Sequence, residues 1–94
     1  MIYKDGKQVE YMVGKVIKVN YHRGLVIFED DCGDYGYFEV LGSDDFDPDE
    51  IIIGNFHSLG GETIIKQSTK EKVEVYIEDY GMSLKIAMEV VFRK

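Results

Sequence analysis

Short stretches in which apolar and polar residues alternate recur along the chain and predict β-strands. The predicted strands are residues 9–21, 25–29, 35–41, 56–59, 62–67 and 73–78. The last of these alternates most clearly, and the first is rich in valine, a residue that favours strands. Gly60-Gly61 interrupts the strands on either side of it, which indicates a bulge or a sharp bend. The pattern therefore predicts a mainly β protein.

The N-terminal residues 1–12 are predicted to form a hairpin extension that leads into the first long strand. Asp5-Gly6 lies between two short extended stretches. This dipeptide is favoured in two-residue hairpin turns, because both of its positions require a positive φ.

One short helix is predicted between the third and fourth strands. Asp47 is a good N-cap residue, and Pro48 suits the first helical position. Glu50 completes a capping box with Asp47, and Gly54 provides the end of the helix. These signals predict one or two helical turns.

The C-terminal segment, residues 84–92, fits two periods. Leu84, Ile86, Met88, Val90 and Phe92 alternate with other residues, which favours a strand. Leu84, Met88 and Val91 also have helical spacing, so a helix remains the alternative. With the strand, we expect Phe28, Phe38, Val75 and Ile86 to form the core, because each lies on the better alternating face of its strand.

A chain of 94 residues is long enough for one domain with one core. Three strands, a short helix and further strands that close the sheet follow the order of an OB-fold. We therefore predict an all-β protein, a small OB-like Greek-key barrel of five to six strands with one short helix between strands three and four. Residues 1–94 would form this single domain.

The net charge of −7 is unevenly distributed along the chain. Residues 1–28 contain five Lys or Arg and two acids, whereas residues 29–50 contain ten acids and no Lys or Arg. The acidic block should repel phosphate, and the first strand is locally basic. This balance disfavours nucleic-acid binding without excluding it, since most nucleic-acid-binding domains are positive in total.

Within the predicted barrel, residues 14–40 resemble a cold-shock domain. Gly14-Lys15-Val16, followed by Asn20 and Gly24, is similar to the opening pattern of that family, and the acidic residues 30–34 look like its loop between strands two and three. The resemblance implies binding of single-stranded RNA or DNA through outward aromatic side chains that stack on bases.

The stacking positions depart from the family pattern. Leu25 and Ile27 stand where two aromatic residues are expected, Lys18 replaces another aromatic residue, and Glu39 replaces a histidine. Tyr37 alone matches, with Tyr35 beside it. The candidate nucleic-acid-binding residues are Lys15, Lys18, Arg23, Tyr35 and Tyr37.

Leu25 and Ile27 are apolar residues on a face that the predicted barrel would expose. Large exposed apolar patches mark partner sites, so this pair is a candidate protein interface. The alternatives for their cover are the N-terminal hairpin, a partner protein or a second copy of the chain in a homodimer. A further alternative is an irregular strand, in which Leu25 and Ile27 would not lie on the exposed face.

No catalytic or metal-binding pattern is evident in the sequence. His22 and His57 lack ligand partners at zinc spacing, and Cys32 lies among carboxylates that should raise its pKa. The sequence lacks a long apolar segment, so we expect a cytoplasmic protein with no membrane contact. We predict a non-enzymatic OB-type module without a cofactor, which binds single-stranded nucleic acid weakly; the alternative is an acidic protein-interaction or assembly module, including one that mimics phosphate.

Overall fold

A computed structural model describes residues 11–93 in full and, before them, the backbone of two strands, β1 (Ile2–Lys4) and β2 (Lys7–Val9). These two strands pair antiparallel with each other. The turn predicted at Asp5-Gly6 lies outside the described residues. The remaining elements are β3 (Met12–Asn20), β4 (Leu25–Glu29), β5 (Tyr35–Val40), β6 (Ile51–Gly54), β7 (Gly60–Lys66), β8 (Lys72–Met82) and α1 (Leu84–Val91).

Strands β3 to β8 form a closed barrel in the order β3-β4-β5-β8-β7-β6, and every neighbouring pair is antiparallel. It consists of two three-stranded meanders, which residues 41–50 connect. The prediction of a small all-β barrel with five to six strands is therefore confirmed at this level. The long strand β3 closes the barrel, because its first half pairs with β6 and its second half with β4.

Four phenylalanines fill the barrel, and their rings form a chain of contacts. The ring centroid of Phe28 lies 5.9 Å from that of Phe38 and 4.9 Å from that of Phe56, and Phe46 meets Phe38 at 5.3 Å. Gly14 makes room for this chain, because a Cβ atom there would lie 2.8 Å from the Phe56 ring. The core positions expected at Phe28, Phe38 and Val75 are confirmed, since all three are fully buried.

The strand expected over residues 84–92 is wrong, because α1 occupies Leu84–Val91. Ser83 is its N-cap, and the Ile86 N–H donates to the Ser83 hydroxyl at 3.2 Å. Strand β8 already closes the barrel through β5 and β7, so no free strand edge remains there for another strand. The helical spacing of Ala87 and Val91 then buries one face, and Ile86, expected in the core, is 47% exposed.

The helix expected between strands three and four is also wrong, although the local signals for it are real. The Glu50 carboxylate accepts from the Asp47 N–H at 3.1 Å, and the Glu50 N–H donates to the Asp47 carbonyl at 3.2 Å. These bonds close a turn and do not begin a helix. Asp49 has a φ of 73°, which a right-handed helix does not allow, and its N–H donates to the Val16 carbonyl of β3. The β-branched residues 51–53 then continue as β6 and not as a helix.

Candidate binding surfaces of the barrel

Helix α1 covers the barrel face on which the sequence placed nucleic-acid binding. Leu25 and Ile27 of β4 are buried against Ala87 and Val91 of α1 and form a second small core. Partly buried side chains complete this core: Ile17, Tyr35, Tyr37, Met82, Leu84, Met88 and Phe92. Leu25 and Ile27 are therefore covered by a helix of the same chain. They are not exposed, as a protein interface at these two residues would require.

Tyr35 and Tyr37 are brought together on β5, but both are half-buried in this second core. The pKa of the Tyr37 hydroxyl is raised, mainly because the group is partly buried. The nearby carboxylates of Glu78 and Asp79 raise it further. The hydroxyl is therefore neutral at ordinary pH. Both side chains pack against the second core, so neither ring is fully free to stack on a base.

The basic candidates nearest to this face hold the C-terminal end of α1. The Arg23 guanidinium donates to the carbonyls of Val90 and Val91, at 3.1 Å each, and the Asn20 amide donates to the Val91 carbonyl at 2.8 Å. Carbonyls in the last turn of a helix lack partners within the helix, and a cation there also interacts favourably with the helix dipole. Arg23 therefore stabilises the docked helix.

The two candidate lysines have different partners. The Lys18 ammonium lies 5.4 Å from the centroid of the Phe92 ring, a cation–π contact beside the end of α1. The Lys15 ammonium lies 3.4 Å from a carboxylate oxygen of Asp49, in a largely exposed ion pair. The structure therefore groups Lys18, Arg23, Tyr35 and Tyr37 around α1 and places Lys15 beside the β5–β6 connection.

Uncovering this face would be costly. Leu25, Ile27 and Val91 are each at least nine-tenths buried, and burying such a side chain contributes about 1.5–3 kcal/mol, so exposing all three costs about 5–9 kcal/mol. Stacking contributes about 1–3 kcal/mol per base, so two tyrosines would return about 2–6 kcal/mol. Stacking on two tyrosines alone would therefore offset only part of this cost over most of these two ranges.

Residues 41–50, here called the acidic loop, are held in place at several points. Phe46 inserts into the barrel core, and the Tyr21 hydroxyl donates to the Phe46 carbonyl at 3.2 Å. The Lys66 ammonium donates to the Asp45 carbonyl and lies 4.9 Å from the centroid of the Phe46 ring. The loop consequently has a defined backbone path, although it contains no regular secondary structure.

Some carboxylates of the acidic loop form ion pairs and others do not. Glu50 lies 4.0 Å from Lys66, and Asp49 has Lys15 as its partner. Asp44, Asp45 and Asp47 have no cation within 4.0 Å among the residues that the structure describes. These three carboxylates give the loop a local negative charge that the described part of the chain does not neutralise.

A cavity of about 160 Å³ opens at the barrel mouth between the β3–β4 turn and the acidic loop. Val19, Val26 and Val40 provide apolar lining, and Tyr21 also lines the cavity. The polar part of its lining comes from the acidic loop, residues 42–46. The mouths of β-barrels are among the places where proteins bind small groups.

The buried carboxylate of Asp30 connects the β4–β5 turn with the β6–β7 connection and, through the His57 ring, with β8. Asp30, whose side chain is fully buried, accepts from His57 Nε2–H at 2.8 Å and from the N–H groups of Cys32 and Asp34 at 2.9 and 3.0 Å. The His57 ring stacks on Tyr80 at 4.7 Å. Burial raises the pKa of Asp30, but these hydrogen bonds outweigh it, and the pKa lies below its ordinary value.

The Cys32 thiol lies beside this carboxylate but is exposed. Partial desolvation, the hydrogen bond to Asp31 and the neighbouring carboxylates raise its pKa, as the sequence predicted. One oxygen each of Asp30 and Asp31 and the Cys32 sulfur lie within 4.8 Å of one another. Asp30 already accepts three hydrogen bonds, so this group is better explained as the support of a turn than as a metal site.

An apolar row on the opposite face of the barrel has no clear signal in the sequence. Val13, Ile53 and Ile65 are cross-strand neighbours on β3, β6 and β7, and Val13 is 51% exposed. Cross-strand neighbours lie close enough for their side chains to form one patch. The row becomes visible only once the pairing of the three strands is known.

The chain matches no protein-family model, no curated protein and no solved structure. In the described part of the chain, no helix is long and apolar enough to cross a membrane. Three features of the molecule therefore bear on its function: the covered face, the acidic loop and the cavity beside it.

Proposed function

We propose that this chain is an acidic, non-enzymatic protein-interaction module that binds a basic segment of a partner protein at the acidic loop. The observation that supports it is a loop with a defined backbone path whose Asp44, Asp45 and Asp47 carboxylates lack cation partners among the described residues. A loop that is ordered before binding loses less conformational freedom when it binds.

The expected interaction is weak and depends on salt. Exposed ion pairs contribute about 0.2–1 kcal/mol each, so a few of them give only a weak complex. Long-range attraction between an acidic surface and a basic partner mainly accelerates encounter, and salt screens it. The mimicry of phosphate remains a variant of this proposal.

A binding experiment with loop variants tests the proposal. We expect a fluorescently labelled lysine- and arginine-rich peptide to bind the chain at low salt, as measured by fluorescence anisotropy. Replacing Asp44, Asp45 and Asp47 together by Asn should weaken binding by about tenfold, since three weak ion pairs are lost.

The matched control removes charge from the other acidic turn. Asp31 and Asp34 are exposed, and replacing both by Asn lowers the negative charge without changing the acidic loop. This variant should lose less affinity per charge removed than the loop variant. An equal loss per charge would show that only the total charge matters and would contradict a site at the loop.

The second candidate is weak binding of single-stranded nucleic acid by a cold-shock-like, OB-like Greek-key barrel. It is favoured by the position of Lys18, Arg23, Tyr35 and Tyr37 together around α1. Binding there requires α1 to move, so affinity should be low and lost in moderate salt. An oligonucleotide that shifts the amide NMR signals of these residues at low salt would favour this candidate.

Several coarser expectations accompany both candidates. A cytoplasmic location, the absence of a cofactor and the absence of catalysis remain predictions from the sequence. A homodimer also remains a prediction, and sedimentation at several concentrations tests it directly.

A further inference from the structure

We propose that the cavity at the barrel mouth holds the side chain of a lysine or arginine from the partner protein. The inference rests on the proposed function and adds the chemical group that the partner contributes. What carries it is an open cavity lined both by valines and by the acidic residues Asp44 and Asp45, at a place where β-barrels bind small groups.

The walls of the cavity suit the aliphatic part of such a side chain. Val19 and Val40, both half-buried, and the fully buried Val26 line the cavity, and Tyr21 also lines it with 62% of its surface exposed. The Tyr21 hydroxyl is already bonded to the Phe46 carbonyl, which holds the ring beside the opening. Lysine and arginine commonly bury their methylene groups against such surfaces while the charged end stays at the rim.

The rim suits the cationic end. Asp44 and Asp45 contribute to the lining, and the described residues that line the cavity include no Lys, Arg or His. An aliphatic chain that enters along the valines would therefore place its cation beside Asp44 and Asp45. A neutral or anionic group of the same size would gain less or be repelled.

The same loop already binds a cation from its other side. The Lys66 ammonium donates to the Asp45 carbonyl and lies over the Phe46 ring at 4.9 Å, with Glu50 at 4.0 Å. This internal arrangement combines an aromatic ring, a carbonyl and a carboxylate around one ammonium group. It shows that the acidic loop provides suitable chemistry for an alkylammonium ion.

A volume of about 160 Å³ is below the about 300–1,000 Å³ of pockets for drug-sized ligands. The cavity therefore suits a single side chain and not a nucleotide or another large ligand. Anchoring of one long side chain in a pocket is a common feature of protein–protein interfaces.

The first test uses small probes on the full chain. Amide NMR titration with n-butylammonium or n-butylguanidinium should give saturable shifts at residues 19–26 and 40–46, with a dissociation constant on the order of 10 mM. Uncharged n-butanol should bind at least about threefold more weakly. Equal shifts with n-butanol, or no saturable shift with either cation, would overturn the proposal.

Two variants separate charge from shape. Asp44→Asn with Asp45→Asn should weaken n-butylammonium binding at least about threefold, whereas Asp31→Asn with Asp34→Asn removes the same charge elsewhere and should leave it unchanged. Val40→Phe fills the cavity without changing charge and should abolish binding. If circular dichroism shows that Val40→Phe does not fold, Val19→Leu is the milder filling variant, and unchanged binding in a folded filling variant would overturn the proposal.

A final comparison identifies the source of the cation. The peptide acetyl-Gly-Lys-Gly-amide should shift the same amides as n-butylammonium; if it does not, the cavity accepts a small alkylammonium ion but not a lysine side chain of a peptide, and the inferred side chain is wrong. If the small cations do not bind while the basic peptide still binds the acidic loop, this inference fails and the proposed function stands. If the basic peptide also fails to bind, the proposed function fails as well.

Discussion

Asp30 shows how one polar residue stabilises the barrel from inside. Its carboxylate satisfies two N–H groups of its own turn and the His57 ring from the β6–β7 connection. The ring is in turn stacked on Tyr80 of β8. The sequence offered no sign of this role, because Asp30 lies in a run of acids and its partner is 27 residues away.

Stability should depend on the charge of Asp30. Its pKa in the folded protein is lowered, so its contribution is complete above the unfolded value of about 3.9 and is lost as pH falls through the folded value. We expect Asp30→Asn to cost about 2–4 kcal/mol near neutral pH. Urea unfolding between pH 7 and pH 2 measures this. The free energy of unfolding should fall less with decreasing pH in this variant than in the wild type.

The control is Asp31→Asn, because Asp31 is the exposed neighbour. It should leave neutral-pH stability within about 0.5 kcal/mol of the wild type. If Asp30→Asn showed the same stability and the same pH dependence as Asp31→Asn, the buried carboxylate would not have the role given to it here.

Two glycines provide a second test at the residue scale. A Cβ atom on Gly36 would lie 2.4 Å from the Asp79 carbonyl oxygen and 2.6 Å from the Phe28 ring, whereas one on Gly61 would meet nothing within 4 Å. Gly36→Ala should therefore destabilise the fold by more than about 2 kcal/mol, and Gly61→Ala by less than about 0.5 kcal/mol. Denaturant unfolding measures both, and equal values would contradict the pairing of β5 with β8.

At the scale of elements, alternation locates most barrel strands because a period of two is what a strand with one buried face requires. It fails for α1, since Leu84 and Met88 satisfy both periods and only the closed barrel decides between them. The cap signals near Asp47 are satisfied in a turn, which the sequence cannot distinguish from a helix start. The sequence did not predict the cavity, because two of its lining residues, Tyr21 and Phe46, are 25 residues apart in the chain and meet only in the fold.

The docking of α1 can be tested with one pair of substitutions. Ile27 is fully buried under the helix, and Val13 is 51% exposed on the opposite face. Ile27→Glu should cost more than about 3 kcal/mol, because it buries an unpaired charge, whereas Val13→Glu should change stability by less than about 1 kcal/mol. Chemical denaturation gives both values, and a stable Ile27→Glu variant would show that α1 does not cover β4.

At the scale of the whole molecule, the acidic block 29–50 and the covered face disfavour the same function. The block contains ten acids and no Lys or Arg, within a net charge of −7. Phosphate would be repelled over much of the surface, and the face that groups aromatic and basic residues among those that the structure describes is occupied by α1. A basic partner is attracted by the same field.

We propose that the acidic loop, and not the face under α1, is the binding surface. The most direct measurement is amide NMR at low salt, in which the labelled chain is titrated in parallel with a basic peptide and with a single-stranded oligonucleotide. We expect the peptide to shift residues 43–47 and the oligonucleotide to shift none. Shifts at Lys18, Tyr35 and Tyr37 with the oligonucleotide, and none at the acidic loop with the peptide, would contradict the claim.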